Sequence, residues 1–513
     1  MPHRHRRAVP TLTRRGFLRT AVGTTGVLLA SACGGATAPA APTTAPAKPA
    51  EATKPAAAPA AASPATAASP ATAASPAVGA SPAAAASPVG SPAASPSPSP
   101  AAAAPQAAPA ARAPVNLTGT TLSYLGWASF IPTADAFVKK QLEEGFAKET
   151  GARVVVEFVN ANDIQPKLAA SIQTGSGPDV VHIRDNWAQT YQQGMSDVSD
   201  LVADVSKLYG DFYPIFNDNL RVDGTYYGMP HDNSGGAVHW RKSWFAEAGV
   251  TSFPTTYDAY HTVGKALKAQ GRPLGQAFGH SFGDPPGWCY SMLWNYGGSE
   301  VNEQGKVAIN SPATIQALSD MKQAYVDAYD ETGLAWDDGS NNRAFLAETV
   351  SSTLNGSSIW FVARNDKMPF FDDIGIDRVP GGPKGQALLL GTNHYAVPKY
   401  GKNQDAAKEM LRYLMRPDVY EARFLENQSY IAGISPQHDR MLPWDKLPPS
   451  VTVFRDLGPI GRTVGWPGPA SQKAGLAWSK YIVVDMFARA IQGESAEAAA
   501  RWAENELKSI YEG

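Results

Sequence analysis

Between residues 121 and 183 the chain runs through five segments that alternate between two hydrophobic periods, and this limits its fold more than any other feature. A short β-like run at 121–126 (TLSYLG) precedes a helical pattern over 134–150. There Phe137, Leu142 and Phe146 recur at helical spacing, and Gly151 ends the run. A buried-type strand follows at 153–159 (RVVVEFV), then a second helix over 164–174 ending at Gly175, then a third strand at 178–183 (PDVVHI). Strand–helix–strand–helix–strand in one stretch predicts a parallel α/β sheet. Ligands of such sheets sit beyond the C-terminal strand ends. Here those ends are Gly126-Trp127, Asn160 to Asp163, and Arg184 to Trp187.

The chain before this sheet cannot contribute to a core. Residues 34–114 are almost wholly Ala, Pro, Ser and Thr, with S-P-A-T-A-A repeating every six residues from Ser63. The stretch has no aromatic residue and no Leu, Ile or Met, so nothing offsets the entropy of ordering it. Its prolines stiffen it toward polyproline II. The expectation is a disordered tether over 34–116, spanning ~50 Å as a coil and at most ~250 Å extended.

Ahead of the tether, Thr13-Arg14-Arg15-Gly16-Phe17-Leu18-Arg19 resembles a twin-arginine (Tat) export signal. The apolar run Ala21 to Ala32 is about a dozen residues, too short for a membrane-spanning helix of roughly 20. It ends Leu29-Ala30-Ser31-Ala32-Cys33, which resembles a lipoprotein box, although Ala30 stands where leucine is usual. Ala30-Ser31-Ala32 also fits an ordinary signal-cleavage site. A signal peptide over 1–33, with Cys33 lipidated at the outer face of the cytoplasmic membrane, is the expectation.

The remaining residues, about 117–513, suffice for two or more domains. Residues 1–114 carry nine Arg/Lys and one Glu, net +8; the whole chain is −2, so the body is −10. An acidic body disfavours nucleic acid. Cys289 is its only cysteine, so it holds no internal disulfide. No H-E-x-x-H, C-x-x-C or Walker-type loop occurs, so neither a metal nor a cofactor is expected. The carboxylate pairs Asp337-Asp338 and Asp372-Asp373 read as solvated turns. All twelve tryptophans lie in the body, several beside Gly, Pro, Asn or Asp: Trp127, Trp187, Trp288 and Trp466.

A family resemblance runs through the body. Gly177-Pro178-Asp179-Val180-Val181 with Asp185 resembles a segment of solute-binding receptors of ABC importers, in the sugar-receptor family of the maltose-binding type. Tyr226-Tyr227-Gly228-Met229-Pro230 is similar to that family's first crossover, and His239 to Gly249 to the start of a helix there. Pro254-Thr255-Thr256-Tyr257-Asp258, Leu293 to Gly298, Asn355-Gly356 and Ala406 to Leu414 match further segments in order. Around Asn355, Thr353 and Ser357-Ser358 depart from the pattern. The resemblance implies an α/β, two-lobed, type II periplasmic-binding-protein fold with a hinge between lobes. It places lobe 1 at 117–230 plus 388–440 and lobe 2 at 231–387 plus 441–513.

Sugar faces pack on aromatic rings, and sugar hydroxyls need planar polar partners. Trp127, Asp185, Asn186, Trp187, His231, Asp232, Trp288, Trp294, Tyr296, Asn393, Tyr430 and Trp466 have that chemistry, at expected strand ends or family cleft positions. The resemblance implies a monomeric receptor, not an enzyme, that delivers a sugar to an ABC permease. A polyamine, another cation or a peptide as solute, and a tethered glycoside hydrolase, stay as alternatives.

Overall fold

The computed structural model describes residues 115–513; the leader, Cys33 and nearly all of the tether lie outside the described residues. Its first sheet has five strands, in the order Arg153–Val159, Thr121–Trp127, Val180–Arg184, Thr392–Ala396, Met229–Asn233. The first two pair in parallel from Thr121 opposite Arg153 to Trp127 opposite Val159, and Val180–Arg184 joins them in parallel. Thr392–Ala396 runs antiparallel between Val180–Arg184 and Met229–Asn233, with an irregularity at Asn393/His394. The parallel expectation thus holds for three strands, and a late segment of the chain closes the sheet.

The local readings differ from the structure in instructive ways. The helix after the first strand is interrupted by a π-helical turn, Gln141–Phe146, between Ala134–Lys140 and Ala147–Thr150. Its buried stripe is Ala134, Val138, Leu142 and Phe146, spaced by four, while Phe137 is only half-buried. A spacing of four drifts around an α-helix of 3.6 residues per turn, and a wider π turn keeps it on one face. The third strand begins at Val180 because Asp179 has another task. Its carboxylate accepts hydrogen bonds from Ser123 N (2.9 Å) and Ser123 Oγ (2.8 Å), tying the strand start to its neighbour.

A second sheet of three antiparallel strands, in the order Ser352–Asn355, Ala237–Arg241, Ile374–Asp377, builds the other lobe. Its central helix, Asp284–Tyr296, is buried from Pro285 through Tyr296 and packs against Pro312–Ala328 and Ile482–Ile491. The sequence around Pro286-Gly287-Trp288 reads as a turn, but Pro285 and Pro286 occupy the first helical turn, where a missing N–H costs nothing. The chain passes from the first sheet to the second through Ser234-Gly235-Gly236 and returns between Asp377 and Thr392. Gly235 is required there: a Cβ would lie 2.6 Å from both Leu390 Cδ1 and Leu457 Cδ1. No helix among the described residues is long and apolar enough to cross a membrane.

Candidate binding cleft between the lobes

Where the two lobes face one another, a cavity of about 60 Å³ is lined from both sides. Lobe 1 supplies Trp127, Phe130, Arg184 and Asp185; lobe 2 supplies Phe282, Asp284, Asp338 and Asn355; Trp478 and Tyr430 complete the walls. The volume fits a few waters, so a solute ring requires the walls to part.

Arg184 and Asp185 stand at the C-terminal end of the third strand, where α/β sheets present ligand groups. The Arg184 guanidinium carbon lies 4.4 Å from the Trp127 ring centroid, stacked on its face. Its Nε is 3.8 Å from Asp185 Oδ2, and that Nε is buried without a hydrogen-bond partner. Asp185 adopts a left-handed backbone (φ 45°), which a non-glycine residue holds only where its surroundings enforce it. Here they do: Asp185 N donates to Thr392 O (2.9 Å), and Asp185 Oδ1 accepts from Thr392 N (3.0 Å). Burial pushes the Asp185 carboxyl up in pKa, against the lowering effect of Arg184.

The opposite wall is the start of the buried helix. Asp338 Oδ1 accepts from Ser281 Oγ (2.7 Å) and Asp284 N (2.8 Å), and its Oδ2 from Gly283 N (3.1 Å). It therefore caps the helix N-terminus, where N–H groups lack internal partners. Asp284 Oδ2 accepts from Asn341 Nδ2 (2.7 Å) and Asn355 Nδ2 (3.2 Å). Burial raises the pKa of both carboxyls, and the Asp338 charge raises Asp284 further. Asp338 corrects the solvated-turn reading: Asp337 is exposed, whereas Asp338 turns inward. Asp373 likewise pairs with Arg241 Nε at 2.8 Å.

Of the twelve candidates from the sequence, the structure brings Trp127, Asp185 and Tyr430 to the cavity. Asn393 sits one layer behind, donating to Ser234 Oγ (3.0 Å) on the wall and to Asp232 Oδ1 (2.6 Å) in the core. The other eight lie elsewhere. His231 and Asp232 are wholly buried and bonded to each other at 2.6 Å, with Arg423 Nη1 on His231 Nε2, also at 2.6 Å. Asn186 Nδ2 donates to Ser471 O (3.1 Å), and Trp187 packs edge-on to Phe282. Trp288 lies among Tyr257, Tyr260 and Tyr329 in the lobe 2 core, and Tyr296 lies 5.9 Å from Tyr257. Trp294 and Trp466 meet edge-on at 5.6 Å, under a loop whose Gly465 N donates to Glu300. These eight were expected at the cleft because they stand at expected strand ends or at family cleft positions, several of the tryptophans beside turn residues. For Trp288 and Trp466 the neighbouring Pro and Gly start a helix and shape a loop instead.

Sequence reasoning missed Arg184, Phe130, Phe282, Asp284, Asp338 and Trp478. Arg184 was within reach, being the residue before Asp185 at an identified strand end. Asp284 and Asp338 are 54 residues apart and meet only through the fold. Among the described residues no group of three or more His, Cys, Asp or Glu side chains is placed to hold a metal ion. Cys289 is a buried free thiol whose pKa burial raises.

Comparison with known proteins gives a consistent picture. The chain is 26% identical over 301 residues to the diacetylchitobiose binding protein DasA of Streptomyces coelicolor, covering 55% of this chain and 66% of DasA. It is 25% identical over 299 residues to the lactose-binding protein of Rhizobium radiobacter, covering 55% and 68%. The fold matches maltose-bound MalE3 of T. maritima with a TM-score of 0.66 at 20% identity, over 76% of this chain and all of that one. It also matches the GacH receptor of Streptomyces glaucescens with a TM-score of 0.64 at 18% identity, over 77% and 99%. The named relatives are binding proteins. Residues 141–437 match the model of the bacterial extracellular solute-binding protein family, and the chain belongs to that family.

Proposed function

We propose that the protein captures a sugar or oligosaccharide between its lobes and delivers it to an ABC importer, without making or breaking a bond. The observation that carries this reading is Arg184, a buried guanidinium stacked on Trp127 with Asp185 beside it and an Nε that lacks a partner. Ring faces pack on aromatic walls, and hydroxyls accept from Arg and donate to Asp and Asn. Relatives that take diacetylchitobiose and lactose support a saccharide. Closure of lobe 1 on lobe 2 would trap the solute and present a monomer to the permease. The expected boundary between 230 and 231 belongs after Asn233, because strand Met229–Asn233 is part of the first sheet, so lobe 1 is taken as 117–233 plus 388–440 and lobe 2 as 234–387 plus 441–513.

A receptor fits the carboxylates better than a hydrolase does. Glycoside hydrolysis needs two carboxyls flanking the scissile bond. Asp284 and Asp338 stand side by side on one wall with both Asp338 oxygens filled by hydrogen-bond donors, and Asp185 opposite is tied to Thr392 N and lies beside Arg184. A thermal-shift screen of the purified protein with mono- and oligosaccharides should raise Tm for at least one. Arg184→Met should weaken that ligand about 10- to 150-fold, the loss of a charge-assisted hydrogen bond of roughly 1.5–3 kcal/mol. The bound oligosaccharide should be recovered intact after prolonged incubation. Multiple-turnover cleavage would make the protein an enzyme, and a flat screen would remove saccharides from consideration.

The twin-arginine leader and Leu29-Ala30-Ser31-Ala32-Cys33 support export by Tat and lipidation at Cys33, with 34–116 as the tether to the outer face of the cytoplasmic membrane. Stable anchoring takes two acyl chains or a second membrane signal, and this body offers no membrane-spanning helix among its described residues. Cys33→Ser should therefore shift the protein from the membrane to the soluble fraction. Retention in the membrane fraction would end the anchor proposal.

A further inference from the structure

We propose that the solute is a sugar bearing a free, protonated amine, with the amine on Asp284 and ring hydroxyls on Arg184. This rests on the saccharide reading and names its class. The cavity lining carries one cation, Arg184, against three carboxyls, Asp185, Asp284 and Asp338. Arg184 is committed to the Asp185 side, where its Nε lies 3.8 Å from Asp185 Oδ2. The two carboxyls of lobe 2 have no cation of the protein within salt-bridge distance among the described residues.

Hydrogen bonds around the pair single out one oxygen. Asp338 is filled on both oxygens by Ser281, Gly283 and Asp284. Asp284 Oδ2 is filled by the amides of Asn341 and Asn355. Asp284 Oδ1 accepts no hydrogen bond from any described residue, while Asp284 lines the cavity. Across the cavity, Arg184 has a side chain only 6% exposed and an Nε with no acceptor. A buried donor and a carboxylate oxygen left open on opposite walls call for one ligand that presents an acceptor at one end and a cationic donor at the other. A hydroxylated ring with an ammonium group does both. An ammonium at Asp284 Oδ1 is a partner for the ionised form of that carboxyl; a neutral sugar supplies no such charge, and N-acetylation removes it. A linear polyamine would set a second ammonium toward Arg184, a like charge.

The test compares isosteres by calorimetry at a pH where the amine is protonated. Glucosamine and its β-1,4 disaccharide are set against their N-acetylated forms, glucose, cellobiose and spermidine. Free-amine sugars should bind about tenfold or more tightly than their acetylated and unsubstituted partners. Asp284→Asn should bring that ratio to within about threefold; if the variant does not fold, salt dependence confined to the amine sugars reads the same contact. Acetylated or neutral sugars binding as tightly as the amines would overturn this inference and leave the saccharide reading standing. Binding of spermidine alone, or of no saccharide, would overturn both.

Discussion

Arg423→Met is expected to destabilise the protein by about 3–5 kcal/mol, the cost of leaving a buried charge without its partner. Arg423 is 9% exposed and reaches into the core of lobe 1. Its Nη1 lies 2.6 Å from His231 Nε2 and 3.1 Å from Tyr395 Oη, and its Nη2 3.6 Å from Asp232 Oδ2. Burial alone would raise the Asp232 pKa; the His231 hydrogen bond and the charges of His231 and Arg423 instead hold it down to about 2. Asp232 therefore stays ionised in the core, and methionine in place of Arg423 strands it. The double variant Arg423→Met, Asp232→Asn removes both charges and should recover most of the loss, because replacing a buried pair is cheaper than breaking one. Urea denaturation of the wild type, the single variants Arg423→Met and Asp232→Asn, and the double variant measures this. A loss below about 1 kcal/mol in the single variant, or no recovery in the double, would show that the pair is not coupled as the geometry requires.

His231 and Asp232 also show where sequence reasoning stops. As neighbours at the end of a strand they have the chemistry of sugar contacts, and nothing local separates that use from a buried ion pair. What decides it is Arg423, 191 residues further on. Three of the first sheet's five strands were legible because their signals are local: alternating periods, and Gly151 and Gly175 at helix ends with positive φ. Trp127 and Asp185 were legible for the same reason, since the ends of parallel strands are where ligands sit. The helix Asp284–Tyr296 was not. It is buried on every side, so it carries no amphipathic stripe, and its Pro-Pro-Gly start imitates a turn. With that helix misread, Trp288, Trp294 and Tyr296 were placed at the cleft, and Asp284, which does line it, went unnoticed.

The same buried histidines predict an uneven response to acid. Burial is the largest cause in each case, lowering His182 and His438 to about 3, His231 to about 4 and His394 well below its ordinary value in lobe 1, and His239 to about 3 and His261 to about 4 in lobe 2. The unfolded chain keeps values near 6.5. Because the folded pKa values are lower, the unfolded state takes up protons first. The stability these groups contribute is complete above about pH 6.5 and falls as pH drops toward the folded values. At pH 4.5 each has lost about 3 kcal/mol. Carboxyls raised by burial, Asp185, Asp284 and Asp338 among them, act in the opposite sense; Glu300 is raised to about 7 and Asp439 to about 6. Their contribution is lost as pH rises through the raised values and regained on acidification, about 3 kcal/mol for Glu300 and 2 kcal/mol for Asp439 at pH 4.5. In lobe 2, Glu300 offsets about one of the two histidines, His239 and His261. In lobe 1, His182, His231 and His438 outweigh Asp439 by roughly 6 kcal/mol, within the range of a whole domain's stability. His394 adds to that excess and Asp185 reduces it. Lobe 1 should therefore open first. Hydrogen exchange at pH 4.5 should show strands Val180–Arg184, Met229–Asn233 and Thr392–Ala396 losing protection before Ala237–Arg241 and Ile374–Asp377, with all five protected at pH 7.5. Simultaneous opening of the two sheets, or earlier loss in lobe 2, would mean that these histidines do not govern the acid limit. Such a result would also remove the reason to expect solute capture to fail first on the Arg184 side of the cleft as the pH falls.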